Sequence, residues 1–225
     1  MCGRYSFWNP DGLMERYETE NQVSWEESYN ITPGMINPVI TRQSPNKVVL
    51  MKWGLIPFWA KDPKIGYKMI NARAEGIEAK PAFRRPIKSQ RCLVPADGFY
   101  EWKRLTLEKK EEKIPWFIGL KDKSTFSLAG IYDIWKDVEG KEIYSYSIIT
   151  TEPNSLMAKI HYRMPVILGK IDEDVWLTKD YDFEKILALL KPYSEKDMVS
   201  YPVSTRVNSP ANDGPELVVK YQQSK

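Results

Sequence analysis

The chain reads as an α+β fold: a mixed or antiparallel β-sheet, curled toward a barrel, with helices at its periphery. Strand-like runs outnumber helical ones, they are short and closely spaced, and 16 prolines and 12 glycines punctuate them. A doubly wound parallel sheet would instead place a helical crossover between successive strands. The runs rich in β-branched and aromatic residues are Lys47–Trp53, Arg91–Val94, Gly98–Lys103, Trp116–Leu120, Thr125–Ile131, Ile143–Thr150, Pro165–Leu168 and Glu216–Lys220. Helices are fewer. Asp11–Glu18 is the first, and Ala74–Lys80 is a short one ended by Pro81. Thr151 can cap a helix from Glu152 to about Ile160, with Pro153 tolerated in the first turn and His161 at or just past the C-terminus. Asp182 can cap Phe183–Leu190, whose apolar Phe183, Ile186, Leu187, Leu189 and Leu190 suit a packed face before Pro192 stops it. No repeat, low-complexity tract or linker divides the chain, so residues 1–225 are expected to form a single domain.

Composition then narrows function. With 42% hydrophobic and 28% charged residues, the chain has neither a long apolar run for a membrane span nor the depleted composition of a disordered segment. The N-terminus shows no basic leader, apolar run or cleavage site, which makes a cytoplasmic protein without a membrane anchor the expectation. Two cysteines, Cys2 and Cys92, cannot build a disulfide framework. Cys92 lies in the apolar run Arg91–Val94 and reads as structural. The single histidine, His161, excludes motifs that need two imidazoles, and no metal, phosphate loop or dinucleotide fingerprint is expected; the implied chemistry needs no cofactor.

Net charge is only +3, but it is unevenly spread: Lys61–Arg91 holds nine basic residues against three acidic, a net of +6. Trp53, Phe58, Trp59, Tyr67 and Phe83 lie in or just before that stretch. Cations that track phosphates, interleaved with aromatic faces that receive unstacked bases, suit single-stranded nucleic acid. A solvated loop with its aromatics turned into the core accounts for the same residues.

Cys2 carries distinctive chemistry. Removal of Met1 would expose a residue with both a free α-amine and a thiol, which condenses with an aldehyde to an imine and then closes to a five-membered thiazolidine. At pH 7 roughly a tenth of an α-amine of pKa near 7.8 is neutral, against fewer than about one in a thousand lysine amines. The terminal amine is therefore the better carbonyl trap. A buried, inert Cys2 is the plainer alternative. Glu101, flanked by large aromatics in Gly98–Trp102, becomes an acid or base near neutrality if desolvated, and sits on a wet strand face if alternation holds. Asn71 can orient a nucleophile or occupy a turn, while Arg73 offers a planar fork for phosphate. His161 is the one imidazole available to move protons, or a satisfied structural residue.

Nine segments in order carry a family likeness: Met1–Arg4, Tyr29–Gly34, Trp53–Trp59, Asn71–Glu75, Arg91–Cys92, Gly98–Trp102, Thr150–Thr151, Ile160–Leu168 and Val203–Asn208. On these the chain is similar to the SOS-response-associated peptidase family, also called abasic site processing proteins, from residue 2 to about residue 220. The resemblance implies a sensor and shield for abasic sites in single-stranded DNA, with Cys2 forming a thiazolidine crosslink to the ring-opened deoxyribose after loss of Met1. By the same resemblance Asn71 positions Cys2, Glu101 assists acid–base steps and reversal, and His161 helps open the sugar and form the Schiff base. Arg4, Asn30, Trp53, Trp59, Arg73 and Arg163 would line the DNA channel. Residues from about Asp172 to Tyr201 would form a peripheral helical region, and a monomer is expected. Two other functions fit subsets of these residues: a cysteine peptidase using Cys2 with His161, and a noncovalent single-strand binding module.

Overall fold

The computed structural model describes residues 2–21, 23–107, 110–179 and 182–221. In chain order it contains β1 (Tyr5–Phe7), α1 (Pro10–Tyr17), β2 (Ser28–Ile31), β3 (Ile36–Thr41), β4 (Ser44–Trp53), β5 (Asn71–Arg73), α2 (Pro86–Ser89) and β6 (Arg91–Ala96). There follow β7 (Gly98–Leu107), β8 (Lys110–Leu120), β9 (Phe126–Lys136), β10 (Glu142–Thr151), β11 (Met164–Pro165), β12 (Ile167–Leu168), α3 (Lys170–Leu177), α4 (Phe183–Ala188) and β13 (Met198–Pro202).

The architecture is α+β and sheet-dominated, with a closed five-strand barrel. Around the ring β4 pairs β3, β3 pairs β6, β6 pairs β9, β9 pairs β10, and β10 returns to β4; only that last edge is parallel. Closure removes the open edges that a flat sheet would expose. A barrel this small is filled by side chains, here including Val39, Met51, Trp53 and Tyr146. The second sheet, β13-β8-β7-β1-β2, is antiparallel throughout.

Two departures from regular pairing position the site. First, β10 carries β4 along its early residues and the short β5 along its late ones, with Asn71 opposite Ile148 and Arg73 opposite Thr150. Second, β1 lies beside β7, with Tyr5 opposite Phe99 and Tyr100 N–H donating to the Arg4 carbonyl. A Cβ at Gly98 would stand 2.0 Å from the Phe117 ring, so glycine alone lets β7 begin this close to its neighbour. That antiparallel register, carried toward the terminus, sets Cys2 and Gly3 alongside Glu101 and Trp102.

Several expected elements change. The helix expected over Glu152–Ile160 is a single 3-10 turn at Met157–Lys159. Thr151 does not cap it, because that residue ends β10; the Asn154 side chain instead accepts from Met157 N–H at 2.9 Å. The helix expected over Ala74–Lys80 is reduced to a 3-10 turn at Ile77–Ala79, entered through Gly76 at φ +64°, a left-handed residue that interrupts a helix. Glu216–Lys220 is no strand: Pro215–Val218 is a 3-10 turn that buries only Leu217 and pins Val218 through the Tyr201 hydroxyl. The stretch expected to be helical beyond Asp172 contains α3 and α4 but also β13, which pairs with β8. Asp182 does cap α4, accepting from Glu184 N–H. No described helix is long and apolar enough to cross a membrane.

Candidate active site

The site lies where the start of β1 meets β5 and the turn after the Met157–Lys159 segment. Asn71, on β5, donates from Nδ2 to the Cys2 carbonyl at 2.7 Å, while its Oδ1 is buried with no hydrogen-bond partner. The Cys2 thiol is fully buried, with Sγ 4.0 Å from the Arg4 carbonyl. Burial, reinforced by the Glu101 carboxylate, pushes it up to about 12. Met1, whose removal the family resemblance implies, lies outside the described residues.

Glu101 does not follow the alternation of a half-wet strand: Phe99, Tyr100 and Glu101 are all buried. Its Oε1 stands 3.7 Å from His161 Nδ1. Burial raises the Glu101 carboxyl above its ordinary range and lowers the His161 imidazole below its own. The two groups are thereby drawn toward each other in proton affinity, a pairing suited to proton transfer near neutrality. His161 is held from behind, with its own N–H on the Met157 carbonyl and Nδ1 3.2 Å from the Arg163 N–H. The structure thus brings Cys2, Asn71, Glu101 and His161 together.

The residues expected to line a DNA channel divide into two groups. Trp59 and Arg73 are exposed. Trp53 is 1% exposed, edge-on to Tyr5, stacked with Tyr146 and donating from Nε1 to the Ile70 carbonyl. Its ring is filled with protein contacts and offers no free face to a base. Asn30 is equally buried and ties down the C-terminal loop, donating to the carbonyls of Val207, Ser209 and Asn212 and accepting from Arg4 Nη1. Arg4 also donates to the Val207 carbonyl and sits over the Trp102 ring. Arg163 is 8% exposed, its guanidinium engaged with Glu75 and the Thr150 carbonyl.

A cleft of about 680 Å³ opens beside His161, walled by Trp102, Lys103, Arg104, Lys159 and Tyr162. It is cationic and aromatic, yet none of its basic residues falls in the charged run from Lys61 to Arg91. Lys103 and Arg104 come from β7 and Lys159 from a segment far along the chain, so folding brings them together; the local hint was Trp102 beside Glu101. Among the described residues, no cluster of three or more His, Cys, Asp or Glu side chains could hold a metal ion.

A buried thiol just ahead of β1, a carboxyl–imidazole pair and a basic cleft beside the imidazole make up the site. The chain belongs to the SOS response associated peptidase (SRAP) family, whose profile matches residues 1–210. It is 47% identical over 224 residues to the abasic site processing protein YoqW of Bacillus subtilis (strain 168), spanning 97% of this chain and 99% of that one. It is 34% identical over 226 residues to the abasic site processing protein HMCES of Xenopus tropicalis, spanning 86% of this chain and 66% of that one. The crystal structure of a protein from Bacteroides thetaiotaomicron superposes with a TM-score of 0.89 at 34% identity, covering 98% of this chain and all of the other.

Proposed function

We propose that this protein captures abasic sites in single-stranded DNA as a covalent thiazolidine through Cys2, once Met1 has been removed. The observation that carries the reading is the 2.7 Å bond from Asn71 to the carbonyl of Cys2, whose thiol lies within electrostatic reach of Glu101, the partner of His161. The names of the relatives, which call them abasic site processing proteins, supply the substrate.

The environment favours one order of bond formation. Burial holds the Cys2 thiol well above its ordinary value, so thiolate is scarce at pH 7, whereas roughly a tenth of a terminal amine of ordinary pKa is neutral. Nitrogen therefore attacks the aldehyde first, and loss of one water gives the imine. Protonation of that imine places a positive charge beside the sulfur and lowers its pKa, so the thiol gives its proton to the Glu101–His161 pair and the sulfur closes on the imine carbon, the C=N electron pair moving to nitrogen to leave the neutral thiazolidine amine. In this reading His161 and Glu101 ferry the protons of addition and dehydration. A cysteine peptidase needs the reverse electrostatics, a depressed thiol beside a charged imidazole, which favours carbonyl capture over the peptidase reading.

The test is incubation with a single strand carrying one abasic site, followed by a denaturing gel. A heat-stable adduct is expected, absent in Cys2→Ala. No adduct, or one that survives that substitution, refutes capture; salt-reversible binding equal for intact and abasic strands would leave a noncovalent binding module. Intact mass must also show loss of Met1 in the active fraction.

A further inference from the structure

We propose that Glu75 is a positioning residue whose carboxylate, gripping Arg163 in a two-pronged ion pair, fixes the 161–163 turn and with it the aim of His161. The inference rests on the capture reading above. Glu75 accepts from Arg163 Nη1 at 2.6 Å and from Nη2 at 2.9 Å, and Nη2 also donates to the Thr150 carbonyl at 2.6 Å. The Thr150 carbonyl in turn accepts from Ala74 N–H at 2.8 Å, so the end of β10 joins both sides of the brace. Behind it, Lys80 Nζ closes the turn by donating to the carbonyls of Arg73 and Glu75.

The segment Asn71–Glu75 therefore has two arms. At one end Asn71 holds Cys2; four residues on, Glu75 holds Arg163, whose backbone N–H lies 3.2 Å from His161 Nδ1. A planar guanidinium held at two carboxylate oxygens resists rotation in a way that a single contact does not. The arrangement sets Cys2 and the imidazole relative to one another through one five-residue segment, β5 and the two residues after it, and small misplacements at such a site are costly. Charged and titratable groups around the imidazole are Glu101 and Arg104 from β7, the N-terminal ammonium, Lys159 ahead of the turn, and Tyr162 and Arg163 within it. Arg163 acts on the imidazole in two ways: its backbone carbonyl, 3.2 Å from Nδ1, raises the pKa, and the charge of its guanidinium, which Glu75 offsets, lowers it by less. Removing the carboxylate therefore lowers the imidazole further.

Because His161 is the one histidine in the chain, its imidazole gives a single, directly assigned NMR titration. Glu75→Ala and Glu75→Gln are to be compared with the unaltered protein for that titration, for single-turnover capture and for affinity toward an intact single strand at fixed salt. Glu75→Ala is expected to slow capture about tenfold, to shift the imidazole titration to lower pH, and to leave intact-strand affinity equal or tighter, since a negative charge is lost. Glu75→Gln, which keeps one acceptor for the fork and turns an NH2 donor toward its other N–H, is expected to recover only part of the rate while the lowered titration persists. Unchanged rate and titration in Glu75→Ala overturn the proposal, as does a loss of intact-strand affinity that matches the loss of rate. If the unaltered protein forms no adduct, the capture reading fails by itself, and the imidazole titration alone then decides the brace.

Discussion

Asn71 offers the sharpest separation of chemistry from stability. Replacing it with Ala deletes the Nδ2 donor that meets the Cys2 carbonyl at 2.7 Å and also deletes Oδ1, which is buried without a partner. The lost bond is worth about 0.5–1.5 kcal/mol net, whereas an unpartnered buried polar atom costs about 1–3 kcal/mol, so the two effects oppose and unfolding free energy should change by between a loss of about 0.5 and a gain of about 2.5 kcal/mol. Capture should respond more strongly. The bond alone corresponds to a factor of roughly 2–12 in rate, and releasing the nucleophile from its alignment can take the loss to about a hundredfold. Asn71→Asp tests the direction of the bond at constant size: a carboxylate turned toward the Cys2 carbonyl sets acceptor against acceptor, and it should be at least as slow as Ala. The assay is a single-turnover time course on denaturing gels with saturating protein and an abasic strand, beside urea denaturation of each variant. Wild-type rates in either variant would refute the positioning role. A rate loss that merely follows the fraction unfolded would refute it too.

Three further outcomes follow from the same geometry. Burial raises the folded Glu101 pKa, so its favourable contribution is complete below the unfolded carboxyl pKa and is lost as pH rises through the folded value. Glu101→Gln should therefore gain stability over the unaltered chain as pH goes from 4 to 8 while losing capture rate; a stability difference flat in pH, read by thermal melts, would contradict this. Arg73→Ala should weaken strand binding and shallow the slope of log K against log salt by about one, whereas Trp59→Ala should cost affinity at unchanged slope, both measured by anisotropy. Trp53→Ala, at a fully packed ring, should cost about 3–5 kcal/mol of stability in urea titrations; a stable variant with weakened DNA binding would return Trp53 to the channel.

Most strands were legible because their signal is local: β-branched and aromatic runs between turn residues mark β4, β6, β7, β9 and β10 within a few positions. The helices failed where a single residue competed. Gly76 breaks the turn after Glu75, and Asn154 takes the capping role expected of Thr151. Barrel closure was suggested by strand count, but the β10–β4 parallel edge joins residues far apart in sequence, and nothing local encodes it. The short β1 and β5, three residues each, fall below the length at which period 2 is readable.

The candidate site divides along a similar line. A titratable side chain next to large aromatics announces itself, as Glu101 does, because flanking bulk and desolvation go together. A role carried by burial does not: Trp53 and Asn30 belong to the same ordered motifs as Asn71, yet their side chains are consumed by Ile70 and by the Val207–Asn212 loop. Ordered motifs mark where the chain is constrained without separating the ligand-facing constraint from the structural one. Segment Asn71–Glu75 shows both at once. Its first residue meets the nucleophile, its third faces solvent, and its fifth reaches across to the turn that carries the imidazole. In an extended backbone, residues i, i+2 and i+4 share a side; a strand that stops at Arg73 and turns through Gly76 releases Glu75 from that side toward Arg163. The brace thus depends on where β5 ends, a boundary set by pairing with β10 rather than by the segment's own residues.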